Sequence, residues 1–303
     1  MPRPHQASGT VLELVSAKGR LVSAERLPRR ATLTGWDPVT RKRLWRFAAP
    51  GPVGDLLLSA DGGSLLATTS SGTNYVYRVD VNPPRLYRTW KRKRGLKGDP
   101  SQGLSADGKL LVRSDVRGQV RGYALEKYKM RWLVKGERLA VSRDGSVAAC
   151  AQSSQVQLRD TGTGRAFGSP WTPVGVLRAL AGHSKGRWAW LSECGAACPV
   201  EPRPRLKPGE PGCELRTTLG RSVALPCPPR AGLTWSPGGK RLAVFGRGWA
   251  RIYRVDTERL RLLHTHRARD DFAHLRLAFS HADRYAVANL MAGELTFFRL
   301  IRR

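Results

Sequence analysis

One segment of the chain has the spacing of a nucleophilic serine site. Gly182 to Gly186 reads Gly-His-Ser-Lys-Gly, which matches the G-x-S-x-G pattern of a serine exposed on a sharp turn between a strand and a helix. That pattern needs a helix after the turn, but Arg187 to Leu191 has the alternation of a strand. We therefore interpret the segment as a hairpin turn, and the sequence does not predict an enzyme.

Four of the five cysteines lie in one region and have the chemistry of metal ligands. Cys194, Cys198, Cys213 and Cys227 supply the four thiolates of a structural zinc site. Only the first two are close in sequence, whereas zinc ribbons use two tight pairs. The segment 199–212 is rich in Pro, Arg and Gly and predicts an inserted loop that needs a cross-link. The sequence leaves three alternatives for these cysteines: zinc ligands, a redox-formed disulfide bridge, or ordinary thiols. A reducing compartment disfavours the disulfide.

The chain carries a large excess of positive charge. Of its 303 residues, 53 are Lys or Arg and 23 are Asp or Glu, so the formal net charge is +30. This exceeds what solubility requires and indicates an anionic partner. A hydrophobic fraction of 41% is enough to form a core. Since no stretch approaches the roughly 18 apolar residues of a membrane span, we expect a cytoplasmic protein that does not contact membranes.

The basic residues occur in groups, and we interpret twelve of them as an anion-binding surface. These residues are Arg29, Arg30, Lys91, Arg92, Lys93, Arg94, Lys97, Arg203, Arg205, Lys207, Arg267 and Arg269. Polyanions bind such groups through release of counterions, without readout of base sequence. The aromatic residues that interleave with basic ones are Tyr87, Trp90, Tyr128, Trp132 and Trp171. Their rings are candidates for stacking on unpaired bases.

A short motif recurs along the chain and identifies the elements that position these groups. An apolar run ends in Ser, a turn that often contains Asp-Gly follows, and a second apolar run comes next. The serines are Ser16, Ser59, Ser105, Ser142, Ser236 and Ser280, with Gly182 to Gly186 in the remaining interval. Their mean spacing is about 44 residues. Because Asp-Gly between apolar runs is a hairpin signal, each unit begins with two antiparallel strands.

Two further strand patterns follow each hairpin, as in Tyr75 to Asp80 and Leu44 to Phe47. A repeat of this length with four short strands is typical of a propeller blade. The sequence therefore predicts an all-β fold, a single β-propeller over 1–303 with seven four-stranded blades, or six as the alternative. The approximate blades are 10–50, 51–97, 98–135, 136–173, 174–229 with a Cys- and Pro-rich insertion at 194–213, 230–268 and 269–303.

Closure of the ring requires a fourth strand for the last blade. Leu295 to Leu300 has the pattern of a third strand, so the fourth has to come from Met1 to Gly9. Pro2 and Pro4 in that segment cannot donate hydrogen bonds to a neighbouring strand. A last blade with three strands is therefore an alternative.

The units resemble the repeats of the WD-repeat family of β-propellers. Trp36-Asp37 is a literal Trp-Asp pair, and degenerate versions end in Asp80, Asp160 and Asp256. Glu126 stands where the pattern has Asp, and most units lack the Gly-His pair that opens many family repeats. The resemblance covers nearly the whole chain and implies a rigid propeller that binds partners.

These observations predict a non-enzymatic binding platform. In a propeller, the connections that contain the twelve basic residues emerge on one face, so we expect them to form a positive plate. The predicted partner is RNA, DNA or an acidic protein surface. The alternative is a WD-repeat-like scaffold for protein assembly in which the charge is incidental. The sequence indicates no cofactor apart from the zinc alternative, and no small-molecule substrate.

Overall fold

The computed structural model describes thirteen segments of the chain. They are residues 5–6, 10–18, 20–27, 30–91, 101–115, 117–184, 186–194, 212–228, 231–256, 259–268, 275–281, 284–289 and 294–299. The strands within them form seven antiparallel sheets of four strands each. A search of the same residues for a helix of membrane-spanning length and apolarity finds none.

A short first strand, β1 (His5–Gln6), precedes six sheets that each contain four consecutive strands. Blade 1 consists of β2 (Thr10–Ala17), β3 (Arg20–Leu27), β4 (Arg30–Trp36) and β5 (Arg43–Ala49). Blade 2 consists of β6 (Val53–Leu58), β7 (Ser64–Thr69), β8 (Thr73–Arg78) and β9 (Arg85–Lys91). Blade 3 consists of β10 (Gln102–Leu104), β11 (Leu110–Ser114), β12 (Gln119–Ala124) and β13 (Lys129–Lys135).

The second half of the chain repeats this order. Blade 4 consists of β14 (Arg138–Val141), β15 (Val147–Gln152), β16 (Gln155–Asp160) and β17 (Ala166–Trp171). Blade 5 consists of β18 (Val176–Ser184), β19 (Arg187–Glu193), β20 (Gly212–Thr217) and β21 (Ser222–Pro226). Blade 6 consists of β22 (Gly232–Trp235), β23 (Arg241–Phe245), β24 (Trp249–Val255) and β25 (Leu260–Arg267). Blade 7 contains β26 (Leu275–His281), β27 (Arg284–Asn289) and β28 (Glu294–Arg299).

The first strands of the seven blades form a closed ring. They contact one another in the order β2, β6, β10, β14, β18, β22, β26 and back to β2. β1 pairs with β28, with His5 opposite Leu295 and Gln6 opposite Glu294. The last blade thus takes its fourth strand from the N-terminal segment. The residues of that segment that pair, His5 and Gln6, come after Pro2 and Pro4 in the sequence. The predicted β-propeller with four-stranded blades is confirmed.

The recurring motif forms the turn between the first two strands of a blade. In blade 2, the backbone N–H of Ser64 donates to the Ser59 hydroxyl at 2.9 Å. The Ser59 hydroxyl in turn donates to the Asp61 carboxylate at 2.5 Å. Gly62 has a φ of +71°, a conformation that residues with a Cβ atom rarely adopt. The motif therefore encodes a tight turn through its own side chains.

The same turn recurs in other blades. Ser105 and Ser142 accept hydrogen bonds from backbone N–H groups at 2.9 and 3.0 Å. Blade 6 keeps the serine contact, since Arg241 N donates to Ser236 Oγ at 3.0 Å, although Gly238 replaces the aspartate. In these four turns the serine and the glycine three residues later are constant, whereas the aspartate is absent from blade 6.

The core lies between neighbouring sheets. Second strands are buried on both faces, as in β7, where Leu65 and Leu66 have no exposed surface. Leu65 packs with Leu33 and Leu56 between blades 1 and 2. Equivalent clusters lie between the further consecutive blades up to blade 7, for example Leu191 with Leu242 between blades 5 and 6. Each blade is therefore held by its two neighbours, and the ring fixes the position of every outer strand.

Candidate binding surfaces

The Gly-His-Ser-Lys-Gly segment occupies a hairpin turn, as predicted. β18 ends at Ser184 and β19 begins at Arg187, so no helix follows the serine. The His183 ring nitrogen Nε2 lies 2.8 Å from the Pro237 carbonyl oxygen of the next blade. The same ring packs edge-on against Trp235 at 6.2 Å between centroids. His183 therefore connects blades 5 and 6, and the turn lacks the strand-to-helix geometry of a nucleophilic serine.

The clustered cysteines include one disulfide. Cys213 in β20 and Cys227 just after β21 are bonded, with Cα atoms 4.8 Å apart. The Cys194 backbone N–H donates to Gly212 O at 3.0 Å, which places Cys194 beside Cys213 in the sheet. Cys198 lies outside the described residues. The redox-formed bridge is thus the state shown, although the sequence reasoning disfavoured it.

Zinc binding by the four cysteines stays a prediction for the reduced protein. In the disulfide state, the sulfurs of Cys213 and Cys227 are not thiolates and cannot serve as the predicted ligands. Among the residues that the structure describes, no group of three or more His, Cys, Asp or Glu side chains is arranged to hold a metal.

Three of the twelve predicted anion-binding residues lie in described segments. Arg30 begins β4, Lys91 ends β9 and Arg267 ends β25. Because strands alternate in direction within a blade, the start of a third strand and the end of a fourth strand lie on the same face of the ring. Lys91 and Arg267 are exposed. Residues outside the described segments are Arg29, Arg92, Lys93, Arg94, Lys97, Arg203, Arg205, Lys207 and Arg269, and the positive plate stays a prediction.

Most of the interleaved aromatic rings pack between blades. Trp90 and Tyr128 lie 4.7 Å apart between centroids at the seam of blades 2 and 3. Trp171 and Trp190 lie 5.7 Å apart at the seam of blades 4 and 5. Blades diverge toward the periphery, and large rings fill the space that opens there. These half-buried rings pack against other rings of the protein, and their role in base stacking stays a prediction.

The two remaining aromatic residues differ from each other. Trp132 is 9% exposed, and its indole N–H donates to Thr161 O of blade 4 at 2.9 Å. Tyr87 is 52% exposed on the outer strand of blade 2. Tyr87 is therefore the aromatic residue of this set that a partner can reach without separating two blades.

The outer strands of blades 1 to 3 form a second basic surface, which we call the basic flank. β5, β9 and β13 contain eight Lys or Arg residues and no Asp or Glu. These residues are Arg43, Arg46, Arg85, Arg88, Lys91, Lys129, Arg131 and Lys135. Six are exposed and form no salt bridge within the described part of the chain: Arg43, Arg85, Lys91, Lys129, Arg131 and Lys135.

Apolar side chains interrupt the cations of the basic flank. Leu86 and Tyr87 on β9 are 53% and 52% exposed, and Met130 on β13 is 49% exposed. The sequence contained the signal for this surface, because Lys or Arg begins all three outer strands and also ends β9 and β13. β5, β9 and β13 are far apart in the sequence, and they lie side by side because blades 1, 2 and 3 are consecutive in the ring.

Some charged residues of the inner strands form polar contacts with a neighbouring blade. Glu13 of blade 1 lies 3.4 Å from the Arg276 guanidinium of blade 7. Gln102 of blade 3 donates to the Asp55 carboxylate of blade 2 at 2.7 Å. Burial raises the pKa of Glu13 to about 7; nearby Arg276 opposes the rise and Asp55 adds to it. These two polar contacts thus link blade 7 with blade 1 and blade 2 with blade 3.

Arg143 reaches across the central channel. It belongs to the hairpin turn of blade 4, and its two Nη atoms donate to Trp235 O at 3.1 Å and Phe279 O at 3.0 Å. These carbonyls belong to blades 6 and 7. Burial lowers the pKa of the Arg143 guanidinium to about 10. The side chain therefore connects three blades and occupies the channel at the end formed by the hairpin turns.

Solved structures of two other proteins share this fold. A chain of the structure called "Crystal Structure of Mitotic Checkpoint Complex" matches with a TM-score of 0.70 at 16% identity, covering 100% of this chain and 92% of that one. A chain of Kuenenia stuttgartiensis hydrazine synthase matches with a TM-score of 0.65 at 14% identity, covering 97% of each. No protein-family model matches the chain, and no curated protein matches it in sequence.

At such low identities, these likenesses concern the fold alone. One similar chain comes from an assembly and the other from an enzyme, so the fold does not specify an activity. The ring of four-stranded sheets and the two similar structures together support the β-propeller fold.

Proposed function

We propose that this protein is a non-enzymatic binding platform whose basic surface binds an anionic partner, with RNA, DNA and an acidic protein surface as the candidates. The observation that carries the proposal is the basic flank, where six exposed cations lack a salt-bridge partner within the described residues. A rigid ring holds these cations at fixed positions, which lowers the entropic cost of binding.

Electrostatics supports an anionic partner. Like charges on neighbouring outer strands repel one another, and a protein with a net charge of +30 gathers counterions around such strands. A partner that carries several negative charges releases those counterions and relieves the repulsion. The twelve residues of the predicted positive plate would extend the same surface, since Lys91 belongs to both.

The alternative function is a scaffold for protein assembly in which the charge is incidental. The propeller fold favours protein-partner binding in general, and one of the two similar chains belongs to a complex. The two functions differ in their dependence on salt and on the basic residues. Absence of catalysis and a cytoplasmic location stay predictions.

A salt titration tests the proposed function. We would measure binding of labelled single-stranded and duplex RNA and DNA, and of poly-glutamate, from 50 mM to 300 mM salt. The variant replaces Lys91, Arg92, Lys93 and Arg94 with Ser. We expect affinity to fall at least about tenfold, and the slope of log affinity against log salt to fall by roughly 0.9 for each phosphate that the variant no longer neutralises.

A matched control removes the same charge elsewhere. It replaces four exposed residues on turns at the opposite face with Ser: Lys18, Lys109, Arg165 and Lys240. We expect this variant to bind almost as the original protein does. Equal losses in both variants would mean that binding reflects net charge only, and binding that vanishes by 150 mM salt would favour the scaffold.

A further inference from the structure

The outer strand of each blade has one edge without a partner strand among the described residues. β9 stands at the end of its sheet and pairs with β8 alone. Such an edge presents N–H and C=O groups that can form hydrogen bonds with an added strand. Proteins that do not use these edges usually make them unsuitable for pairing.

The outer edges differ in how suitable they are. β17 contains Pro170 and β21 ends in Pro226. Proline cannot donate to an added strand, so these two edges are blunted. The seven residues of β9 include neither Pro nor Gly. Proline therefore does not blunt the edge of β9, and a β-bulge between Leu86 and Arg88 is the irregularity of this strand among the described residues.

The side chains of β9 select for charge. Arg85 and Lys91 are exposed at its two ends and form no salt bridge within the described segments. A second copy of this protein would bring its own cations to the edge and be repelled. An added strand that carries Asp or Glu would instead place negative charge beside them. The edge thus disfavours self-association and favours an acidic partner.

Exposed apolar surface lies on the same strand. Leu86 and Tyr87 are 53% and 52% exposed, and Tyr87 is the extra residue of a β-bulge between Leu86 and Arg88. An added strand with alternating apolar and acidic residues would contact these side chains as well as the cations. A nucleic-acid backbone would use the cations but neither the strand edge nor Leu86. The combination on β9 therefore favours a protein segment over a nucleic acid.

We propose that the outer edge of β9 binds an extended acidic segment of a partner protein as a fifth strand of blade 2. Main-chain hydrogen bonds would supply affinity, and the cations and apolar side chains would supply selectivity. This inference rests on the proposed function and narrows its partner to an acidic protein.

The test uses capped nine-residue peptides in which Glu alternates with Val, labelled for fluorescence anisotropy. Successive N–H groups of a strand point to opposite edges, so methylating those of every second residue blocks one edge. The set contains the parent peptide, both single-edge methylated versions and a version with both edges blocked. All four carry the same charge. We expect at least tenfold weaker binding when both edges are blocked, with at least one single-edge version close to the parent.

Variants locate the binding edge. Replacing Arg85 and Lys91 with Ser should weaken binding of the parent peptide about tenfold. The matched control, Arg165→Ser with Lys240→Ser, should leave it within about twofold. Both double variants lose two positive charges. A difference in their peptide affinity therefore reports the position of the charges on β9 and not the net charge of the protein.

Three results would overturn strand addition. The first is equal binding of the parent peptide and the version with both edges blocked. The second is no peptide binding at 50 mM salt while RNA or DNA binds through Arg85 and Lys91, which assigns the flank to nucleic acid. The third is no binding of any anionic probe, which removes the proposed function as well. The second result leaves the proposed function intact, whereas the third contradicts it. Failure of strand addition can therefore be told apart from failure of the proposed function.

Discussion

Charged residues at the inner and outer ends of the blades have opposite surroundings. Glu13 and Arg276 lie 3.4 Å apart on inner strands, and burial raises the pKa of Glu13 to about 7. Arg85 and Lys129 on outer strands are exposed and lack a salt-bridge partner within the described residues. Inner charges should therefore affect stability, whereas outer charges should affect binding.

The geometry of a ring explains this difference. Every inner strand touches the inner strands of two neighbours, so the polar side chains that become buried there need partners. Every outer strand has one edge without a partner strand among the described residues. The stability of the fold therefore depends little on which residues lie along that edge, and these residues can instead be ones that bind a partner.

The largest expected effect comes from a glycine at the inner end of blade 4. Gly145 has a φ of +70°, and a Cβ atom there would lie 2.0 Å from the backbone nitrogen of Ala106. Gly145→Ala should therefore lower the free energy of unfolding by about 3 kcal/mol or more, measured by urea denaturation.

The matched control is Gly186→Ala in the corresponding turn of blade 5. An added Cβ atom at Gly186 would meet no atom within 4 Å. We expect a change below about 0.5 kcal/mol for this variant. A similar loss of unfolding free energy in both variants would contradict the tighter packing described for Gly145.

The second effect depends on pH. Because the folded protein holds the Glu13 proton up to a pKa of about 7, against an ordinary value of 4.5, unfolding should become easier as pH rises from 4.5 to 7. Glu13→Gln removes this penalty. Its free energy of unfolding should exceed that of the original protein by up to about 3 kcal/mol at pH 8 and should equal it near pH 4.

Urea denaturation of both proteins at pH 4 and pH 8 measures this difference. Asp55 and Arg276 are the charged groups that act on Glu13, and both are present in either protein. A difference in stability that is the same at the two pH values would contradict a buried, proton-binding Glu13.

The smallest expected effect concerns the stability contributed by the basic flank. Replacing Arg85, Lys91, Lys129 and Lys135 with Ser removes exposed cations that form no salt bridge within the described segments. The free energy of unfolding should change by less than about 0.5 kcal/mol, because water solvates these groups in both states. Loss of more than about 1.5 kcal/mol would show that outer charges also support the fold.

Much of the fold was predictable because the repeat carries its own turn chemistry. Ser59 and Gly62 form a tight hairpin with local hydrogen bonds, and equivalents recur along the chain. The hairpin at Gly182 to Gly186 followed from the strand pattern after it. The candidate site was less predictable, since the basic residues of the flank form separate clusters in the sequence, and only the order of the blades places β5, β9 and β13 side by side.

The sequence by itself determined the short strands, their turns and the excess of positive charge, because these depend on residues close together in the chain. Tertiary structure decided which distant residues meet. Arg143 bonds Phe279 at a separation of 136 residues, and His5 pairs with Leu295. Trp90 of blade 2 lies against Tyr128 of blade 3. These contacts depend on closure of the ring, because closure fixes the distances between all the blades. No pattern of residues close together in the sequence encodes that closure.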